Sequence, residues 1–213
     1  MLTDPYQLNR DTYNSLAEQY QDKFMDWDGY HDSYKTFLNT LSKEPMSLLE
    51  VGCGPGNVTR FLMQQRPDLK IHGIDIAPNM ITLAQQNNPE ASFEVLDCRE
   101  IGTLSTNYDA IMCGFCIPYI TKEDTIELIA NAAKLINPRG VFYLSAMEAD
   151  YSTSALKGSP NHDQKVFIFY HEANYLKEAL ANNGFELLHE IRQDYAEQDG
   201  TSTTDLFLIA RKK

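Results

Sequence analysis

Residues 46–65 read MSLLEVGCGPGNVTRFLMQQ, and the fold turns on this stretch. A short apolar run enters a loop holding Gly52, Gly54 and Gly56, and an amphipathic helix leaves it over 58–65. A strand that feeds a helix through glycines is the opening unit of a parallel sheet, whose neighbouring strands can be joined only by crossovers.

Working outward, the alternation repeats. KIHGIDI (70–76) reads as a strand, Pro78 to Gln86 as a helix, and Asn87-Asn88-Pro89 as its stop. SFEVLD (92–97) and YDAIMCGF (108–115) are further strands. The next helix has Thr121 as N-cap with Asp124 three residues on, and Ile126, Ile129, Ala130, Ala133 and Ile136 are expected on one face. Asn137-Pro138-Arg139-Gly140 ends it, VFYLSAM (141–147) is a fifth strand, and a helix from His171 to Asn183 stops at Gly184. Two strand-like runs, 185–195 and 203–211, then follow without a helix between them and predict an antiparallel hairpin turning through Asp199-Gly200. Upstream, aromatics at helical spacing from Asp11 to Leu41 predict a pair of helices broken near Asp28-Gly29. The expectation is an α/β domain with a seven-stranded, mostly parallel sheet, helices on both faces and one antiparallel strand from the C-terminal hairpin.

The 213 residues and 43% apolar content suffice for one continuous core. With 18 Lys and Arg against 30 Asp and Glu, the net charge of -12 repels a phosphate backbone and argues against nucleic acid as partner. The basic cluster Arg211-Lys212-Lys213 reads as solvated charge. No run reaches the length of a membrane span, and MLTDPYQLNR lacks the apolar core of a signal peptide, so a cytoplasmic protein is expected. Cys53, Cys98, Cys113 and Cys116 show no disulfide spacing, and the single C-x-x-C at 113–116 lacks the second ligand pair a zinc site needs. No metal is expected.

In such sheets ligands bind at the carboxyl ends of the strands, beside the first strand, where the loop 50–57 lies. Glycines there let the backbone turn tightly and approach a ligand. Asp75, at the end of the second strand, stands where a carboxylate accepts hydrogen bonds from ribose hydroxyls. A dinucleotide loop reads G-x-G-x-x-G, whereas here Asn57 occupies the place of the third glycine, which weakens an NAD reading.

At these residues the chain resembles the class I S-adenosylmethionine-dependent methyltransferases, whose fold is Rossmann-like. The ordered motifs are LLEVGCGPG, GIDIAPNM, FEVLDCREI, YDAIMC and LINPRGVFYLS, and the likeness extends over about 10–213. The resemblance implies S-adenosyl-L-methionine as cofactor and S-adenosyl-L-homocysteine as product. It places Gly52, Cys53, Gly54 and Gly56 along the cofactor, with Glu50 orienting the loop and Asp75 on the ribose. It sets Ile76 and Met80 against the adenine, Asp97 on its exocyclic amine, and the backbones of Cys98 and Cys113 on the ring and the methionine part. Tyr13 and Tyr20 resemble a helical lid. The plainer readings are a turn cap for Asp97, core packing for Met80, and helix packing for the two tyrosines. The implied organisation is one domain, 1–213: a helical lid (1–45), a cofactor core (46–147), an acceptor-side excursion (148–170), and a helix with hairpin (171–213).

Methyl transfer from a sulfonium needs alignment and exclusion of water rather than a protein nucleophile. Where the acceptor loses a proton, a general base helps, and His162, His171, Glu148 and Tyr119 are the candidates, none fixed by spacing. His171 beside Glu172 also reads as the first turn of a helix. The partner expected is a small-molecule acceptor, with no membrane, and the sequence leaves the acceptor and the oligomeric state open. The rival functions are an NAD-dependent oxidoreductase and an S-adenosylmethionine-binding protein without activity.

Overall fold

A computed structural model describes residues 4–158, 164–196 and 202–213. The Asp199-Gly200 turn and Ser159-Pro160-Asn161-His162 lie outside the described residues.

Strands β1 (Ser47–Val51), β2 (Lys70–Asp75), β3 (Ser92–Val95), β4 (Tyr108–Cys113), β5 (Ile136–Glu148), β8 (Phe185–Ala196) and β9 (Ser202–Lys212) form one sheet in the order β3-β2-β1-β4-β5-β9-β8. β1 to β5 pair in parallel, and β9 runs antiparallel to both β5 and β8. β9 is therefore the single reversed strand, as the absence of a helix between the last two runs predicts. The chain leaves β1 toward β2 on one side and later returns to β4 on the other. This reversal opens a crevice at the carboxyl ends of β1 and β4.

Side-chain alternation divides the sheet between two cores. Leu49, Ile111, Phe142 and Leu208 face one layer with Leu128 and Ile129 of α6 (Lys122–Leu135) and Leu176 of α7 (Ala173–Asn182). Leu48, Met112, Tyr143 and Phe207 face the other with Phe37 of α3 (His31–Thr40) and Phe61 of α4 (Asn57–Gln65). Each such fully buried side chain contributes about 1.5–3 kcal/mol.

Several elements differ from expectation. The N-terminal pair is three helices, α1 (Pro5–Ser15), α2 (Ala17–Phe24) and α3. α1 and α2 part at Leu16, whose backbone leaves the helical region at φ -98, ψ 8, just after the Ser15 hydroxyl bonds back to the Thr12 carbonyl at 2.9 Å. α6 begins at its Thr121 cap, which accepts from Asp124 N–H at 3.2 Å, but buries Thr125, Leu128, Ile129, Ala132 and Leu135 and leaves Ile126 41% exposed. Two buried polar residues, Thr125 and Asn131, shift the core face away from the expected one. Residues 137–140 form an irregularity inside β5, with Arg139 at φ +64. α7 starts at Ala173, past His171, and Gly184 at φ +79 follows its end. Within 148–170 lies an unforeseen ribbon, β6 (Ala155–Gly158) paired antiparallel with β7 (Lys165–Ile168). It docks on α1: Asn9 bonds both the Phe167 N–H (2.7 Å) and its carbonyl (2.9 Å).

Candidate active site

β1 ends at Val51 and the chain turns back at once. Gly52 and Cys53 both donate their N–H groups to the Ile74 carbonyl of β2 at 2.9 Å. Gly52, Gly54 and Gly56 sit at φ +72, +53 and +83, where side chains carry strain. At Gly52 space also decides, since a Cβ would lie 2.9 Å from that of Cys116. Gly114, after β4, opens on empty space: a Cβ there would meet nothing within 4 Å.

Asp75 closes this floor. Its Oδ2 accepts the Gly54 N–H and its Oδ1 the Ala77 N–H, each at 2.9 Å. This carboxylate also accepts the Ile76 N–H, and of its roughly four lone-pair sites the remainder is left for a ligand. Burial raises its pKa above the ordinary range against the lowering effect of these bonds.

A cavity stands over the floor. Gly52, Gly54, Asp75, Ile76, Met80 and Asp97 line it from the sheet side. Tyr6, Tyr13 and Tyr20 of the N-terminal helices roof it, and Cys98, Gly114, Cys116 and Tyr119 complete the wall. Tyr13 meets Tyr20 edge-on at 5.9 Å and Tyr119 at 4.9 Å, and its hydroxyl donates to that of Tyr119. Met80 of α5 (Pro78–Asn87) packs with Ala17 and Ala77 against Tyr13 and Tyr20 of the roof. Asp97 caps the turn that follows, accepting Arg99 N–H at 2.9 Å, and pairs with the Arg99 guanidinium at 2.6 Å. Burial would raise the Asp97 pKa, but the Arg99 bonds outweigh it and hold the carboxyl below its usual range. Arg99 lies 3.9 Å over the Tyr6 ring, whose hydroxyl donates to Asp124, so α1 is strapped across the mouth. Tyr6, Arg99 and Gly114 escaped the sequence reading. Only Gly114, a glycine just past a strand, carried a signal.

Four of the named residues stand elsewhere. Glu50 is 2% exposed behind the loop, takes the Thr59 hydroxyl at 2.5 Å, and has its pKa pushed by burial up to about 8. Cys113 is buried under the wall, where its successor Gly114 reaches the cavity. Gly56 caps α4 against Asn88, and Cys53 lines a larger adjoining cavity. All four cysteines are free thiols, with Cys116 hydrogen-bonded to Cys98 and Cys113. Among the described residues, no group of three or more His, Cys, Asp or Glu is placed to hold a metal ion.

His171 is corrected as a base. It is wholly buried, its Nε2–H donates to the Ile117 carbonyl at 2.7 Å, and its Nδ1 accepts from the Tyr175 hydroxyl. Burial lowers its pKa to about 4. A neutral imidazole with both nitrogens engaged cannot reach a substrate; it pins the turn that carries Tyr119. Glu148 is bound by Arg192 at 2.5 and 2.9 Å and lines neither cavity. His162 lies outside the described residues. Of the candidate bases, Tyr119 alone among the described residues lines the cavity, and burial raises its pKa.

A glycine turn at the switch in strand order, an acid ending β2 and a roofed cavity define a nucleoside-binding α/β enzyme class. A family model described as a methyltransferase domain matches residues 19–190, and the chain belongs to that family. A protein of Invertebrate iridescent virus 6 that carries a methyltransferase name is 28% identical over 79% of this chain and 60% of its own. Escherichia coli trans-aconitate 2-methyltransferase is 33% identical over 49% of this chain and 42% of its own. The chain spans 33 to 60% of the first curated relatives it matches, which include proteins named for malonyl-[acyl-carrier protein]. A tRNA cytidine methyltransferase of Schizosaccharomyces pombe is also among the relatives. The fold is shared with the Burkholderia thailandensis 1,6-didemethyltoxoflavin-N1-methyltransferase, at a TM-score of 0.71 and 20% identity over 100% of this chain and 92% of that one. No helix among the described residues is long and apolar enough to cross a membrane.

Proposed function

We propose that this chain is an S-adenosylmethionine-dependent methyltransferase acting on a small-molecule acceptor. The observation that carries the reading is the meeting of Gly54 and Asp75 on the floor of a cavity that Gly114 leaves open. Bound S-adenosylmethionine supplies an activated methyl group, so the chain needs no nucleophile of its own. Asp75 would hold the ribose hydroxyls, Ile76 and Met80 the adenine face, and Gly52 and Gly114 the methionine part. Asp97, largely buried at the adenine end, orients the turn through Arg99, which donates to both of its carboxylate oxygens. Tyr13 and Tyr20 exclude water from above, which gives residues 1–45 the part of a lid. Four free cysteines fit a reducing compartment such as the cytoplasm.

Calorimetric titration with S-adenosylhomocysteine and, separately, with NAD tests the reading. Binding of the first alone is expected, and preference for NAD would turn the assignment to an oxidoreductase. Labelled S-adenosylmethionine incubated with a metabolite extract then separates enzyme from binder, because only an enzyme moves the label.

A further inference from the structure

We propose that the larger adjoining cavity is the acceptor site, that it takes a planar aromatic molecule bearing an O–H or N–H, and that Tyr30 and Asp205 receive that proton during transfer. The inference rests on the methyl-transfer reading above and names its acceptor class.

This cavity, of about 710 Å³, shares Gly52, Gly54, Gly114, Phe115 and Tyr119 with the first. Occupants of the two therefore meet across Gly114 and Phe115. Its walls are rings: Trp27 meets Tyr30 edge-on at 4.5 Å, and Tyr30 stacks on Phe115 at 4.6 Å and 24°. Such surfaces favour flat π systems. Phe115 is held at φ +53, a costly backbone for a ring-bearing residue, with its N–H donated to the buried Ser145 hydroxyl at 2.8 Å. Strain kept at the junction of two cavities marks a residue that fixes geometry.

The charged groups of the wall argue against a carboxylate acceptor. Arg60 is paired with Asp26 at 2.8 Å, Lys23 lies 4.8 Å over the Phe24 ring, and Lys157 lies 5.9 Å over that of Tyr170. A forked guanidinium grip on a carboxylate would first require breaking the Arg60 pair.

The polar end has a different chemistry. Tyr30 donates its hydroxyl proton to Asp205 Oδ2 at 2.5 Å, and Asp205 is 4% exposed on β9. A phenol has one proton. With that proton committed, the Tyr30 oxygen offers only lone pairs; the Tyr195 hydroxyl bonds to it at one side, and the lone pair left selects a partner that donates. In the reaction, an acceptor lone pair forms the bond to the methyl carbon of S-adenosylmethionine as the carbon–sulfur bond breaks, its electron pair staying on sulfur. The acceptor proton passes to Tyr30 Oη, and the phenolic proton passes to Asp205. Charge and atoms balance, with no other co-reactant.

Trp27, the one tryptophan of the chain, gives a direct readout. The probes are 7-hydroxycoumarin and 7-methoxycoumarin, the same ring with and without the proton, titrated against Trp27 emission in mildly acidic buffer with S-adenosylhomocysteine present. The hydroxyl form is expected to bind about tenfold tighter, and Tyr30→Phe, which keeps the ring stack, to bring the two within about twofold. With labelled S-adenosylmethionine, methyl transfer to 7-hydroxycoumarin is expected, and Tyr30→Phe should lower kcat about 100-fold while raising KM by no more than the roughly tenfold loss in binding. Equal binding of the pair by the unaltered chain, or label passing to glutarate or spermidine and not to 7-hydroxycoumarin, overturns the inference. Failure of S-adenosylhomocysteine to bind by calorimetry overturns instead the reading beneath it.

Discussion

Asp75 Oδ2 accepts the Gly54 N–H at 2.9 Å, so the residue ending β2 holds in place the loop that ends β1. Asp75→Asn puts an amide N–H where one of two backbone donors now finds an acceptor. Affinity for S-adenosylhomocysteine should fall about 10- to 100-fold, as read by calorimetry, because a charged hydrogen bond contributes about 1.5–3 kcal/mol.

Gly54→Ala and Gly56→Ala should separate binding from stability. A Cβ at Gly56 would fall 2.3 Å from Asn88 Nδ2, the donor to the Gly56 carbonyl, while φ stays at +83. Urea unfolding of Gly56→Ala should show a loss of about 2–3 kcal/mol. At Gly54 the nearest atom is a Tyr20 ring carbon at 3.8 Å, so the cost is the backbone alone, about 1 kcal/mol. Equal losses in the two variants would contradict this account.

His171 should make the protein acid-sensitive. Its folded pKa of about 4 lies below the unfolded 6.5, so the unfolded chain binds the proton first. Stability is full above pH 6.5 and is lost as pH falls toward 4, by about 3 kcal/mol in all. Denaturation midpoints between these limits should slope for the natural chain and flatten for His171→Gln.

Glu50 carries the opposite sign. Its folded pKa of about 8 exceeds the ordinary 4.5, so its stability is full below pH 4.5 and is lost as pH rises toward 8. Glu50→Gln keeps an acceptor for the Thr59 hydroxyl and removes the ionisation. At pH 7 it should unfold at higher urea, by on the order of 3 kcal/mol. A variant no more stable at pH 7 than at pH 4.5, relative to the natural chain, would count against the buried-acid account.

The sheet was legible because β1, β4 and β5 are apolar runs punctuated by turn residues, a pattern that burial on both faces imposes. The β6–β7 ribbon was not, since β6 is mostly exposed and the ribbon is held by Asn9 and Thr12 of α1. Such side-chain bonds between residues far apart in sequence leave no local pattern. Asp75 could be placed from its position at a strand end, whereas the burial of His171 depends on Ile117 and Tyr175 converging on it. Phe115 shows the same limit, because a left-handed backbone is written in sequence only where glycine takes it.

The clasp of Asn9 on Phe167 reaches beyond the mouth of the cavity. One side-chain amide occupies the Phe167 donor and acceptor, and the Thr12 hydroxyl the Lys165 carbonyl, on the margin of β7 that a neighbouring strand would seek. α1 thus serves as a blunt cover for a bare ribbon margin, guarding it against sheet extension by a second molecule.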